Sequence, residues 1–249
     1  MSNILNPAPV GNKQFKIGLF ILMEDESSNF YYMQDKIKHC NLNPNNILYE
    51  LRNSRHIGNK TQANRIVAET LKLVEKRNAA FRERIDDEDA AIDYVPFSEI
   101  YCVVDLDHNH LEPKKGDSHL AQAYDLIQQA QANGINISLI LSNECFEVWY
   151  LLHFQDISEP LYRKNSKQKL NIRLDKKNSI EFLQNEYLGV SNKRFKHYFN
   201  TINEKNGSET NAIQRAKALT QNITLTNPLH NPSTDMYILI KRLNEFVTG

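Results

Sequence analysis

The patterned part of the chain begins with FKIGLFILM, residues 15–23, an unbroken apolar run between polar neighbours. Its length and its bulky residues predict a strand buried on both faces. The polar segment 24-EDESSN-29 follows at once, after which Phe30, Met33 and Ile37 recur at helical spacing. A strand, a polar turn and a helix in that order open a βα unit. Residues 46–51 (NILYEL) predict a second strand, and 61–84 a long helix with Ile66, Leu71, Leu73 and Val74 on its apolar side. Residues 99–106 (EIYCVVDL) form the clearest strand, because Ile, Tyr, Cys and Val suit a pleated, buried surface. A polar loop over 107–118 leads into a helix over 118–133, with Ser118 as its expected cap and Gly134 as its stop. Residues 135–141 (INISLIL) give a further strand, and 144–154 a short amphipathic helix.

Strand–helix alternation of this kind predicts an α/β fold with a mostly parallel sheet flanked by helices. From about residue 156 the strand signals vanish and Lys and Arg become frequent. The expected organisation is a flexible N-terminus over 1–14, an α/β core over 15–155, and a mainly helical region over 156–249 packed on that core. Its helices are expected at about 178–188, 192–203, 209–221 and 233–247.

Composition narrows the classes. The chain has 249 residues, 41% of them hydrophobic and 24% charged, which suits a folded protein rather than a disordered one. The formal net charge is +0, so a polyanionic partner would need a local basic patch. Cys40, Cys102 and Cys145 lie far apart and outside any CxxC pair, which argues against a zinc site or a disulfide framework. The first fourteen residues lack the apolar core of a signal peptide, and no apolar run approaches the about 20 residues that span a bilayer. A cytoplasmic location without membrane association is expected. No GxxxxGK[ST] loop is present, which argues against an intrinsic P-loop ATPase.

Two acidic groups directly follow predicted strands: Glu24 with Asp25 and Glu26, and Asp105 with Asp107. Ligands of open α/β sheets bind at the carboxyl ends of strands. Asp105 and Asp107 project to one face if the segment is extended, and two carboxylates can converge there on a hard cation. The alternatives are that the two aspartates merely begin a polar loop, and that 24-EDE-26 serves the dipole of the following helix. Glu147 is a third candidate, in the first turn of a helix otherwise dominated by Phe146, Val148, Trp149, Leu151 and Leu152.

The order of a strand ending in Glu, a strand ending in DxD and the block 142-SNECFEVWYLLHF-154 resembles the RloB-like family. The segment 231-NPSTDMYILIKRL-243 is similar to that family's terminal Asn-Pro-Ser-Thr block. The resemblance spans residues 15–247. It implies a Toprim-like, Rossmann-like core of the kind found near restriction and phage-defence genes. It also implies a divalent-metal-dependent nuclease, with RNA and particularly tRNA the favoured substrate. On this resemblance Glu24, Asp105 and Asp107 hold Mg²⁺ or Mn²⁺, Glu24 acting as general base or acid or as a metal ligand. Glu147 completes the shell, and Ser142 and Asn143 belong to the same pocket. The block can equally be a packing motif, with Phe146, Trp149, Leu152 and a hydrogen-bonded His153 in the core. Two positions depart from the Toprim-like pattern: Asp25 stands where Gly is usual, and 108-HNH-110 where a further acid often follows. Asp25 favours a second expectation, a catalytically silent regulatory subunit docked on an ATPase partner from the same locus. Both a monomer and a homo-oligomer are compatible with these readings.

A nuclease needs a basic surface beside its acids. The candidate stretches are Arg52 to Arg65, which includes Arg55; Arg163 to Lys177; and Lys193, Arg194 and Lys196 interleaved with Phe195, His197 and Tyr198. Aromatic residues among basic ones can stack on unpaired bases, while each stretch by itself also suits a solvated helix face. Arg215 is expected either to reach a phosphate or to pair with Glu209. Asn231, Ser233 and Thr234 are expected to cap the last helix.

Overall fold

The first apolar run forms β1 (Ile17–Met23), buried beyond its first residue. In the computed structural model, which describes residues 17–25, 28–43, 46–57, 62–84, 96–106, 116–164, 174–190, 195–220 and 231–247, β1 lies between two parallel neighbours. These are β2 (Ile47–Asn53) and β3 (Phe97–Asp105). Parallel β4 (Ile137–Asn143) pairs with β3, and antiparallel β5 (Ser233–Thr234) closes the order β2-β1-β3-β4-β5. Helix α1 (Ser28–Cys40) joins β1 to β2, α2 (Ala63–Arg84) joins β2 to β3, and α3 (Gly116–Ala132) joins β3 to β4. The chain continues through α4 (Glu147–Leu152), α5 (Ile180–Leu188), α6 (Tyr198–Glu204), α7 (Glu209–Thr220) and α8 (Met236–Asn244).

Alternation along β1 sorts its side chains between two layers. Phe20 and Leu22 pack with Ile66 and Val67 of α2 and Leu120 and Ala123 of α3. Leu19, Ile21 and Met23 pack on the other face with Tyr32 and Met33 of α1 and with Phe146 and Trp149 around α4. That second layer also holds Leu183 of α5, Tyr198 and Phe199 of α6, Ala212 and Ala216 of α7, and Leu239 and Ile240 of α8. The C-terminal helices therefore complete the same core. Trp149 is fully buried, and its indole Nε1 donates to the Tyr32 hydroxyl at 2.8 Å, so the aromatic burial leaves no orphan donor. Lys36 is buried too, but its ammonium donates to Glu209 at 2.9 Å and to Asn244 at 2.8 Å, tying α1 to α7 and α8.

Gly18 marks a close approach between β1 and β3. A Cβ there would sit 2.1 Å from the Pro96 carbonyl oxygen, and the β1–β3 register shifts at this point. Gly134 ends α3 as expected, with φ of 80°.

Several local expectations are corrected. Ser118 lies inside α3, which already begins at Gly116, and so is not its cap. The helix expected over 192–203 begins only at Tyr198. The strand signals do not end at residue 156: β5 joins the sheet, with the Ser142 and Thr234 hydroxyls bonded at 2.8 Å. Of the three expected caps, Ser233 and Thr234 are both strand residues, although Thr234 accepts the Met236 amide at 3.3 Å, and the N-cap position itself falls to Asp235. Asn231 instead clamps Leu161, accepting from its N–H at 3.0 Å and donating to its carbonyl at 2.7 Å.

The β4–β5 junction carries a pH dependence. The Asp235 amide donates to Leu141 O at 2.8 Å, and its carboxylate faces the Leu141 amide at 3.4 Å. Burial pushes this carboxyl up from 3.8 to about 6. The folded state thus holds the proton more tightly than the unfolded chain. The resulting stability is full below about pH 4 and is lost as pH rises through about 6. Asp235→Asn should remove this loss, making the variant about 2 kcal/mol more stable than wild type at pH 7.5 relative to the difference at pH 4. Urea unfolding of both proteins at the two pH values checks this. Comparing variant with wild type cancels the opposite contribution of His153.

Candidate functional site

The connections of β1 and β3 diverge. From β1 the chain moves outward to β2 on the α1 side, and from β3 it moves outward to β4 on the α3 side. Neighbouring strands whose connections part in this way form the switch point at which open α/β sheets bind ligands. Glu24 follows β1, and Asp105 ends β3. The Glu24 amide donates to Val103 O at 2.9 Å, and the Asp105 amide donates to Glu24 Oε2 at 2.8 Å. The two acids of the sequence pattern are thus joined directly, main chain to carboxylate, across two adjacent parallel strands.

On the other side of Asp105, β4 delivers the 142–147 segment. The Leu106 amide donates to Ser142 O at 2.9 Å, and residues 141–152 are buried. The Asn143–Glu144 peptide bond is cis. Glu147 opens α4 and is buried at 4% exposure. Its partner is Arg163, whose Nη2 lies 2.5 Å from Glu147 Oε2 and 3.6 Å from Asp105 Oδ2. The Arg163 amide donates to Glu144 Oε1 at 3.3 Å. One buried guanidinium therefore links the strand-end aspartate to the helix glutamate. Cys145 adjoins this cluster, and burial together with the Glu147 charge pushes its thiol well up, so it stays protonated at neutral pH. Burial, with the Glu147 charge second, likewise raises the Tyr150 phenol, whose hydroxyl donates to Asn29 at 3.2 Å.

A family model described as RloB-like protein matches residues 19–243. The chain belongs to the RloB-like family. No curated protein matches it, and no solved structure does.

In this RloB-like chain Ser142 and Asn143 lie beside the acidic edge, but both are buried and form the β4 side of the β5 pairing. Phe146, Trp149 and Leu152 are core residues. His153 is 4% exposed, its Nδ1 donates to Trp149 O at 2.9 Å, and burial lowers its pKa to about 4, so it is neutral near pH 7. The block that carries the family resemblance thus combines packing residues with Glu144 and Glu147.

The basic candidates are dispersed. Arg52 lies near the end of β2, beside Leu22 of β1, and pairs with Glu50. Arg55 is exposed on the following 3-10 turn, Ser54–Ile57. Arg215 is engaged elsewhere: it bonds Asp156 at 3.0 Å and Leu152 O at 2.8 Å, while Glu209, its expected pairing partner, takes Lys36. Lys196 stands over the Tyr31 ring at 4.7 Å. Asp107, His108, His110, Lys193 and Arg194 lie outside the described residues. The sequence marks Arg163 only as the start of a candidate basic stretch and does not distinguish Glu144. Arg163 is the first residue of a basic tract and has no local signal to distinguish it from Lys164, which is exposed.

Among the described residues no three His, Cys, Asp or Glu side chains are grouped closely enough to hold a metal ion by themselves. Glu24 and Asp105 nevertheless supply hard oxygen donors at the ends of adjacent strands. This chemistry suits Mg²⁺ or Mn²⁺ binding that retains several waters. Glu147 is engaged by Arg163. No helix among the described residues is long and apolar enough to cross a membrane.

Proposed function

We propose that the chain is a divalent-metal-dependent nuclease that hydrolyses phosphodiesters of RNA, tRNA foremost, as an effector of prokaryotic anti-phage defence. The observation that supports this most is the bond from the Asp105 amide to the Glu24 carboxylate at the switch point, within a chain of the RloB-like family. Glu24 and Asp105 are the residues to hold the cation, with Asp107 joining them by resemblance. When bound, Mg²⁺ or Mn²⁺ supplies a polarised water and offsets charge on the phosphate. Glu24, oriented by the Asp105 N–H, is the group to take a proton from the attacking water. Arg52, beside Leu22 at the same edge of the sheet, and the exposed Arg55 that follows it are the cations proposed for the substrate path.

The test is incubation of the purified chain with total tRNA, single-stranded RNA and plasmid DNA, in Mg²⁺, Mn²⁺ or EDTA. The expected result is RNA cleavage in metal and none in EDTA. Cleavage that persists undiminished in EDTA contradicts the reading.

A second reading has its own support. Arg163 already places a positive charge against Asp105 and Glu147, as would suit a catalytically silent subunit of an ATPase-containing defence complex. Mn²⁺ binding without cleavage, together with tight association with an ATPase encoded at the same locus, would favour it.

A further inference from the structure

We propose that Arg163 is the resident counter-cation of the acidic edge: it neutralises Asp105 in the metal-free protein, yields Asp105 to a divalent ion, and stays anchored on Glu147. The inference rests on the metal reading above and adds the element that sets metal affinity.

The contacts of the guanidinium with Glu147 and with Asp105 are unequal. Nη2 is 2.5 Å from Glu147 and 3.6 Å from Asp105. Glu147 is therefore the anchor, and Asp105 the looser partner. The backbone that carries Arg163 is fixed one residue at a time. Leu161 bonds the Asn231 amide through both its N–H and its carbonyl. Tyr162 accepts from Ile180 at 3.1 Å and donates to Asn178 O at 2.8 Å, and the Arg163 amide bonds Glu144. Arg163 is thus delivered to the site by a clamped segment rather than by a swinging side chain. Burial sharpens the competition: the side chains of Arg163, Asp105 and Glu147 are 9%, 13% and 5% exposed, so charges interact there with less solvent screening than at the surface. A guanidinium cannot shed its proton near neutral pH, so its charge can be moved off Asp105 but not titrated away.

The test is calorimetric titration of Mn²⁺ into the full chain as wild type, Arg163→Met, Arg163→Lys and Glu147→Gln, without substrate. Removing the competing cation should tighten Mn²⁺ binding in Arg163→Met by about tenfold or more. Glu147→Gln should weaken it by a similar factor, because the guanidinium, without its Glu147 anchor, binds Asp105 more strongly. Arg163→Lys, which loses the planar fork, should tighten binding by about threefold, and it carries the test if Arg163→Met does not fold. Opposite signs for the Arg163 and Glu147 variants support the proposal, since simple damage to the fold would weaken both. Wild-type binding with unchanged affinity in the variants, or with both kinds weakened, overturns this proposal alone. Absence of Mn²⁺ binding by the wild type overturns the metal reading, and this proposal with it.

Discussion

Glu24→Gln is expected to lower metal-dependent RNA cleavage by about three orders of magnitude while leaving the fold intact. The Glu24 side chain accepts the Asp105 amide at 2.8 Å, and a glutamine carbonyl oxygen can accept the same hydrogen bond. The β1–β3 junction should therefore survive, and stability should change by less than about 1 kcal/mol. What the variant loses is the negative charge and the basic oxygen. Single-turnover cleavage rates under saturating Mg²⁺, with thermal melts of both proteins, separate the two effects. A rate within tenfold of wild type would remove Glu24 from the chemistry. A large fall in melting temperature would instead make it a structural acid.

Arg163→Met should destabilise the metal-free protein by about 3–5 kcal/mol, since removing one partner leaves buried charge without compensation. Glu147 is 4% exposed and has Arg163 at 2.5 Å, and the same guanidinium faces Asp105. Methionine retains much of the apolar stem but none of the charge. Equilibrium unfolding in urea with EDTA reads the loss. Adding Mg²⁺ should recover part of it, because an ion that binds only the folded state stabilises that state. A loss below about 1 kcal/mol in EDTA would mean that the acids of the edge do not need the guanidinium.

Much of the architecture was legible because periodicity reports burial directly. β1 and β3 read as strands from their own residues, and the acids that mark the site stand at their ends, Glu24 just after β1 and Asp105 as the last residue of β3. The α/β class followed from alternation alone. That β1 and β3 are neighbours did not, since adjacency is decided by where the crossover helices pack. The bond from Asp105 to Glu24 is visible only in three dimensions. β5 has two residues, too few to show a period. Asn231 resembled a helix cap because its residue type favours one, yet its amide faces Leu161 across a long sequence gap. Arg163 was hidden in a polar, basic tract, and its role depends on a clamp built by residues distant in sequence from it. Glu147 stands in the first turn of its helix, as its position in the sequence indicates, but its pairing with the Arg163 guanidinium is visible only in three dimensions. Asp107 and Lys193 lie outside the described residues, so their candidacy still rests on the sequence.

The central claim is that Glu24 and Asp105 form a metal-dependent phosphodiesterase edge. The most direct measurement follows cleavage of total tRNA by the wild-type chain in Mg²⁺ and in EDTA, beside Asp105→Asn and Glu24→Gln at equal concentration. The account predicts discrete tRNA fragments from the wild type in Mg²⁺ and none in EDTA or with either variant. Fragments that persist at the wild-type rate in both variants would contradict it.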